Sequence, residues 1–481
     1  MSAIDNRLGK SLTLHRKYTS MTWKNMISHQ RFGIGTSSSP GYRSEFIRDY
    51  DRIIFMSAFR RLQDKTQVFP LPGNVFVHNR LTHSLEVASV GRSLGTAIGR
   101  DVIVPLLDKN DESSQTFYAN DLSGVIASAC LAHDVGNPAF GHSGEKAIAF
   151  YFDKNKESQI DQRSLQSYFS EAEWQDLIQF EGNANALRLL TRAFIGKLEG
   201  GQRLNYLTLA SILKYPCESL AVNKDFSHRK KFGFFQSEKE VFHSIMSSFG
   251  FSVESDPFVS SRRHPFVLLV EAADDICYRI IDMEDAHRIK IISHENITGL
   301  FLDLIEQLQG GTSSMARTKD VLSKIGDENE AISYLRTKCI GGLVEATTAV
   351  FEKNHENILN GTWNESLVGE VEKQCPALKD IQDISVKRIY NHPSVIEVEL
   401  AGYNVMSEIL NIFIPAILKN NPSNMEKKSL LLIPNQFNHS RQPKMYYEKV
   451  MGVLDFVSGM TDGYATELYR KIKGIDIASH R

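Results

Sequence analysis

Over positions 122–133 the apolar residues Leu122, Val125, Ile126, Ala129 and Cys130 recur at helical spacing, and His133 closes the same stripe. Asp121 stands where a cap belongs, and Gly136 and Pro138 end the run. A helix of this kind must bury its stripe, so it carries an imidazole toward the core with a carboxylate, Asp134, directly behind it. Elsewhere the periodic segments are again helical and alternating strand patterns are scarce and short, which predicts a mainly α protein. The exception is 68–77, where β-branched and aromatic residues flank Pro72-Gly73 and predict a small β-hairpin.

At 481 residues and 42% hydrophobic content the chain can bury one large core or two smaller ones. A formal net charge of -2 excludes wholesale attraction to nucleic acid or membrane, so any polyanion site must be a local basic patch. The five cysteines are odd in number, widely spaced and without a C-x-x-C, which implies neither a disulfide framework nor a zinc knuckle and suits a reducing cytoplasm. The opening Met1-Ser2-Ala3-Ile4-Asp5 has no apolar signal region and no later apolar run is long enough to span a bilayer, so neither export nor a membrane anchor is expected. Polar or Gly/Ser-rich stretches at 108–115, 223–237, 310–314 and 420–428 predict loops, and the third marks the expected boundary. The partition that follows is an N-terminal arm over 1–45, a catalytic helical domain over 46–300 and a mainly helical region over 301–481.

Two further segments carry the residue types of a metal site. A helix beginning near Thr82 places His83 in its first turn, and another beginning near Pro265 places Asp274, Tyr278 and Asp282 on one face beside an apolar one. Two neutral imidazoles and two carboxylates, His83, His133, Asp134 and Asp274, can hold one divalent ion and leave positions open for water and a phosphate oxygen. The bland alternatives are a satisfied core histidine and a solvated acidic helix face at Glu271-Ala272-Ala273-Asp274-Asp275. After Asp134 come small and turn-forming residues through Gly144, which suit close backbone approach, and His142 with Glu145 at i, i+3 can share a helical turn. That pair can move the protons a phosphate hydrolysis needs, the carboxylate fixing the imidazole tautomer, while Arg80 can neutralise phosphate oxygens. The run His228-Arg229-Lys230-Lys231 lies among Phe226, Phe232, Phe234 and Phe235, a composition that suits polyphosphate or single-stranded nucleic acid, or a solvated loop over packed rings.

Together these motifs resemble the HD-domain deoxynucleoside triphosphate triphosphohydrolases, and most closely their bacterial deoxyguanosine triphosphate branch. The resemblance is carried in order by Arg48-Asp49-Tyr50-Asp51-Arg52, Phe59-Arg60-Arg61-Leu62-Gln63-Asp64-Lys65-Thr66-Gln67-Val68, Arg80-Leu81-Thr82-His83-Ser84, the block from His133 to Glu145, Phe180-Glu181-Gly182-Asn183-Ala184, Glu271-Ala272-Ala273-Asp274-Asp275 and Ser458-Gly459-Met460-Thr461-Asp462. One departure is Ala139, where many relatives have a second proline. The resemblance implies an HD-type core whose metal ligands are His83, His133, Asp134 and Asp274, with Mn2+, Mg2+, Co2+ or another transition metal as the ion. It implies His142 and Glu145 as the catalytic pair, Arg80 and Asn137 near the phosphates, and Tyr278 and Asp282 against the sugar. Gln67, Val68, Tyr390 and Glu399 would form the base pocket, and Lys214 and Lys231 would reach the polyphosphate. The implied activity is release of inorganic triphosphate from dGTP or other dNTPs by a homo-oligomer, a hexamer or tetramer, with a dNTP effector as a further partner; single-stranded DNA is a candidate partner through the Arg229 to Phe235 run. The rival readings are another HD-fold nucleotide phosphohydrolase, or a nucleotide or single-strand binder without turnover.

Overall fold

The stripe over 122–133 folds as expected, and the rest of the architecture is arranged around it. The computed structural model describes residues 21–36, 44–69, 77–196, 199–255, 257–309, 312–438 and 445–476. The helices that matter for the site are α1 (Glu45–Ile54), α2 (Arg80–Ala97), α3 (Leu122–Ala132), α4 (Gly141–Lys154), α5 (Gly182–Thr191) and α6 (Val267–Arg288). They are followed by α7 (His294–Gln309), α8 (Glu328–Asn360), α9 (Pro393–Leu418), α10 (Tyr446–Ser458) and α11 (Asp462–Ile472). Among the described residues, strand structure is limited to two two-stranded antiparallel ribbons, Gln30–Arg31 with Gly35–Thr36 and Gln159–Ile160 with Arg163–Ser164. The mainly α class therefore holds. The turn of the expected hairpin, 70–76, lies outside the described residues, and its flanks meet only in an isolated bridge between Thr66 and Asn79.

Local chemistry shifts some helix starts. The cap of α2 is Asn79 rather than Thr82: the Asn79 side chain accepts from Thr82 N at 2.9 Å and the Thr82 hydroxyl accepts from Asn79 N at 3.0 Å, a reciprocal capping box. Asp121 makes no side-chain cap on α3, because the chain is already wound through a wider turn at Phe117–Asp121 and offers no free helix end there. Within the expected loops, short helices occupy Glu112–Thr116 and Asn424–Leu430.

Two apolar cores form, and they do not divide at residue 300. The first joins Val87 and Leu94 of α2, Val125 and Ile126 of α3 and Ala273, Ile276 and Ile280 of α6 to Ile297, Phe301, Leu335, Leu343 and Leu378. The second joins Ile148 and Phe152 of α4, with Phe232 and Phe235, to Ile409 and Phe413 of α9 and Val450 and Leu454 of α10. Segments distant in sequence thus complete one another. At the crossing of α2 and α3, Gly91 is required for closeness: a Cβ there would lie 2.5 Å from Cys130 Sγ. All five cysteines are buried and free. Among the described residues one helix, α9, is long and apolar enough to cross a membrane, but Val405, Met406, Ile409, Leu410, Phe413 and Ile414 face the second core.

At the seam between the cores, Arg188 of α5 is fully buried and donates to both carboxylate oxygens of Asp455 at 2.7 and 2.9 Å and to Glu238 at 2.8 Å. Removing the guanidinium would strand two buried carboxylates. Arg188→Met is expected to cost about 3–5 kcal/mol of stability, measured by urea or thermal unfolding, and a loss below about 1 kcal/mol would contradict the account of the seam.

Candidate active site

Three ligand-type side chains converge where α2, α3 and α6 meet. His83, His133 and Asp274 each offer one ligand atom, and those atoms lie within 4.8 Å of one another. His83 Nε2 is 3.0 Å from Asp274 Oδ1, and His133 Nε2 stands 3.5 Å from both Asp274 Oδ1 and Asp134 Oδ1. His133 Nδ1 donates to the Cys130 carbonyl at 2.6 Å, which fixes the tautomer and leaves the Nε2 lone pair facing the cluster. That Nε2 is buried and makes no well-formed hydrogen bond among the described residues. A donor set of two imidazoles and two carboxylates, with an unpartnered imidazole nitrogen between them, fits a divalent transition ion.

Asp134 is held from two sides: Arg80 Nη1 donates to Oδ2 at 2.7 Å and Asn137 Nδ2 donates to Oδ1 at 2.6 Å. Burial would raise its carboxyl, but Arg80, His133 and His83 outweigh burial and hold it below the ordinary value. Asp274 behaves alike, with His133 and His83 overcoming desolvation and keeping it well below the usual carboxylate range. Burial opposes charge on His133, yet Asp134 and Asp274 lift its imidazole to about 9. Both aspartates are thus ionised, and a bound cation would take the place of the His133 proton between them.

Beside it lies a cavity of about 740 Å3 lined by Gln67, Val68, Arg80, His142, Glu145, Lys231, Tyr278, Tyr390 and Glu399, among others. The structure thus gathers most of the sequence-predicted residues in one place. Tyr278 packs edge-on against His83, with ring centroids 5.1 Å apart. Asp282 and Tyr390 meet directly, the phenol donating to Oδ2 at 2.7 Å, and burial pushes the Asp282 carboxyl up to about 8 despite that bond. Both amide atoms of Gln67 are buried without a partner among the described residues. A larger cavity of about 1070 Å3, lined by Arg229, Arg262, Arg263 and Trp363 among others, contains none of the predicted site residues.

One expected contact is absent, and the surroundings of Lys214 and of the 226–235 run are distinct from it. His142 and Glu145 share the first turns of α4 but make no hydrogen bond with each other. The Glu145 carboxylate instead accepts from Gly182 N at 3.0 Å, with Lys231 Nζ 3.9 Å away, so groups from distant segments outcompete the imidazole. Burial beside Glu181 raises the Glu145 carboxyl, whereas burial near Arg80 and Lys231 lowers the His142 imidazole. Lys214 does not line this cavity; it lies 3.6 Å from Glu271, in the field of Asp274 and Asp275. In the run around 226–235, Phe232, Phe234 and Phe235 are core residues, Phe226 is exposed with Arg229 over its ring, and Lys231 reaches this cavity, paired with Glu181 at 2.8 Å.

Sequence reasoning also missed the braces behind the site. Asp462, at the start of α11, accepts from Thr66 N and Phe140 N, both at 2.8 Å. Lys65, wholly buried, donates to the carbonyls of Asn137 at 2.6 Å and Ser458 at 2.8 Å. Both residues lay inside motifs noticed in the sequence, but an acid at a helix start reads simply as a dipole partner. The loop they brace ends at Gly141, whose φ of +56° and lack of a Cβ admit the Arg80 guanidinium: an added Cβ would sit 2.3 Å from Nη2.

A helical frame presenting clustered histidines and aspartates beside a cavity lined by Arg80, Lys146 and Lys231 is the arrangement of an HD-type phosphohydrolase. The HD domain family matches residues 80–206, and the phosphohydrolase-associated domain family matches residues 369–471. HD domains are metal-dependent phosphohydrolases. The chain is 36% identical over 464 residues to a deoxyguanosinetriphosphate triphosphohydrolase-like protein of Synechocystis, covering 95% of this chain and 100% of that one. A protein of the same description from Pseudomonas aeruginosa is 36% identical over 94% of this chain and 99% of its own. The deoxyguanosinetriphosphate triphosphohydrolase of Yersinia enterocolitica is 30% identical over 94% of this chain and 98% of its own. The chain belongs to the deoxyguanosinetriphosphate triphosphohydrolase family of HD-domain hydrolases.

The raised Asp282 carboxyl has a consequence for stability. Its folded-state pKa, about 8, exceeds the unfolded value near 3.8, so its contribution is full at low pH and is lost as pH rises through that window. Asp282→Asn keeps the shape and removes the titration. The melting temperature of the variant relative to wild type is therefore expected to climb between about pH 4 and pH 8 and level off above; a constant difference across that range would contradict the assignment.

Proposed function

We propose that this protein hydrolyses dGTP, and with it other deoxynucleoside triphosphates, to the deoxynucleoside and inorganic triphosphate. The observation that carries the reading is that one cavity joins Arg80, which grips the candidate ligand Asp134, to His142 and Lys231 on one side and to the Tyr278–Asp282–Tyr390 group on the other. In this reading His83, His133, Asp134 and Asp274 hold one Mn2+, Mg2+, Co2+ or similar ion. When bound, that ion supplies Lewis acidity to a phosphate oxygen and acidifies water.

The protein's own groups do the rest. Arg80 and Lys231 bind phosphate oxygens, and Asn137 keeps Asp134 oriented. His142, disfavoured as a cation by its surroundings, is available at neutral pH as a base. Water attacks the α-phosphorus and its oxygen stays there; the proton it loses goes to His142 and then to O5′ as the P–O5′ bond breaks. Glu145 acts by holding Lys231 and the Gly182 turn rather than the imidazole. Tyr278 walls the sugar where a 2′-hydroxyl would project, and the Asp282–Tyr390 pair meets the 3′-hydroxyl. Gln67, Val68 and Glu399 face the base, Gln67 with an uncommitted amide.

Chromatography of reactions with each dNTP, alone and in pairs, with manganese or magnesium, tests the reaction and any effector response together. Deoxynucleoside plus triphosphate is expected; dGMP with pyrophosphate, or no turnover with any divalent ion, would contradict the proposal. His142→Ala is expected to lower kcat by about 10²–10⁴-fold with metal content unchanged. Asp134→Ala is expected to abolish turnover through loss of the ion, so full activity after careful metal stripping would contradict the ligand assignment.

A further inference from the structure

A second group of ligand-type side chains lies about 20 Å along α6 from Asp274, by the rise of the helix. His287 is in the last turn of α6, His294 opens α7 and Glu328 opens α8, and one ligand atom from each lies within 4.8 Å of the other two. The intervening turn brings the histidines together: Lys290 takes a left-handed φ of +63°, and Ile291 N and Ile292 N both return to the Ala286 carbonyl, at 2.8 and 3.2 Å. The two rings stand 5.7 Å apart, tilted by 51°.

The hydrogen bonds leave the lone pairs available. His287 is buried and its Nδ1 donates to the Ile292 carbonyl at 3.3 Å, so its Nε2 carries the lone pair, the arrangement that orients a metal-ligating histidine. His294 Nδ1 is buried with no hydrogen-bond partner among the described residues, and its Nε2 has only a long contact, 3.5 Å, with Thr298 Oγ1. A buried imidazole nitrogen without a partner is costly unless something accepts or binds it. The arginines on the flanking helices, Arg288 and Arg336, are each held by Glu284, at 2.7 Å in both cases, so neither takes Glu328.

We propose that His287, His294 and Glu328 form a second transition-metal site, distinct from the catalytic cluster and of the zinc type. Two imidazoles and one carboxylate suit Zn2+ or Co2+ better than Mg2+, and water completes the coordination. The ion ties together one end each of α6, α7 and α8. Because α6 also carries Asp274, Tyr278 and Asp282, the clip braces the helix on which the cavity depends without touching substrate.

Zn2+ titration of chelator-stripped full-length protein, with bound metal counted per chain, tests this directly. Wild type is expected to bind one more tight Zn2+ than His294→Ala, and Asp274→Ala is expected to retain the ion that His294→Ala loses. The rise in melting temperature on adding Zn2+ to Asp274→Ala is expected to vanish when His294→Ala is combined with it, while His294→Ala alone still hydrolyses dNTP with manganese. Glu328→Gln, an exposed change that leaves packing alone, is expected to weaken the same ion at least tenfold. An equal Zn2+ count and affinity in wild type, His294→Ala and Glu328→Gln, or loss of all Zn2+ in Asp274→Ala, would overturn the proposal.

Discussion

The buried pair between Arg80 and Asp134 is the contact on which the site depends. Arg80 opens α2 and Asp134 follows the end of α3, so a single 2.7 Å bond ties together the two helices that carry His83 and His133. Burying such a pair is not in itself a strong source of stability, because desolvation of both charges offsets their attraction. Its value lies in geometry. It keeps Asp134 ionised, keeps a guanidinium at the cavity wall, and obliges the 133–141 loop to pass so close that Gly141 can carry no side chain.

Around that pair the protein separates its carboxyls into two sets. Asp134 and Asp274 are held low by the cations and imidazoles that face them, whereas Glu145 and Asp282 are raised by burial. In the proposed reading the first set holds the cation, while Asp282 sits near neutral charge against the sugar and Glu145 steadies Lys231 and the Gly182 turn. Lys65 and Asp462 hold this division in place from behind, stitching the 66 and 137–140 segments to the ends of α10 and α11. The C-terminal helices are therefore part of the wall of the cavity and its support.

Much of the fold was legible in the sequence wherever one helix face decided the outcome. The stripe at 122–133 and the shared face of Asp274 and Asp282 are local consequences of periodicity, and both helices stand where that periodicity puts them. Partner choice was not legible. The i, i+3 spacing of His142 and Glu145 says they share a turn, but not that Gly182 N and Lys231, from distant segments, compete for the carboxylate. Packing across residue 300 was not legible for the same reason: Phe301 and Leu335 pack with α2 and α3, while α4 packs with α9 and α10. The grouping of His287, His294 and Glu328 has no sequence signature, since a left-handed turn at Lys290 creates it.

The central claim is that water is delivered to the α-phosphorus between the metal cluster and His142, with the nucleoside O5′ as leaving group. Hydrolysis of dGTP in ¹⁸O-labelled water, followed by mass spectrometry of both products, tests it most directly. The account predicts one labelled oxygen in the released triphosphate and none in deoxyguanosine. Label in the 5′-hydroxyl of deoxyguanosine, or in a mono- or pyrophosphate product, would contradict it.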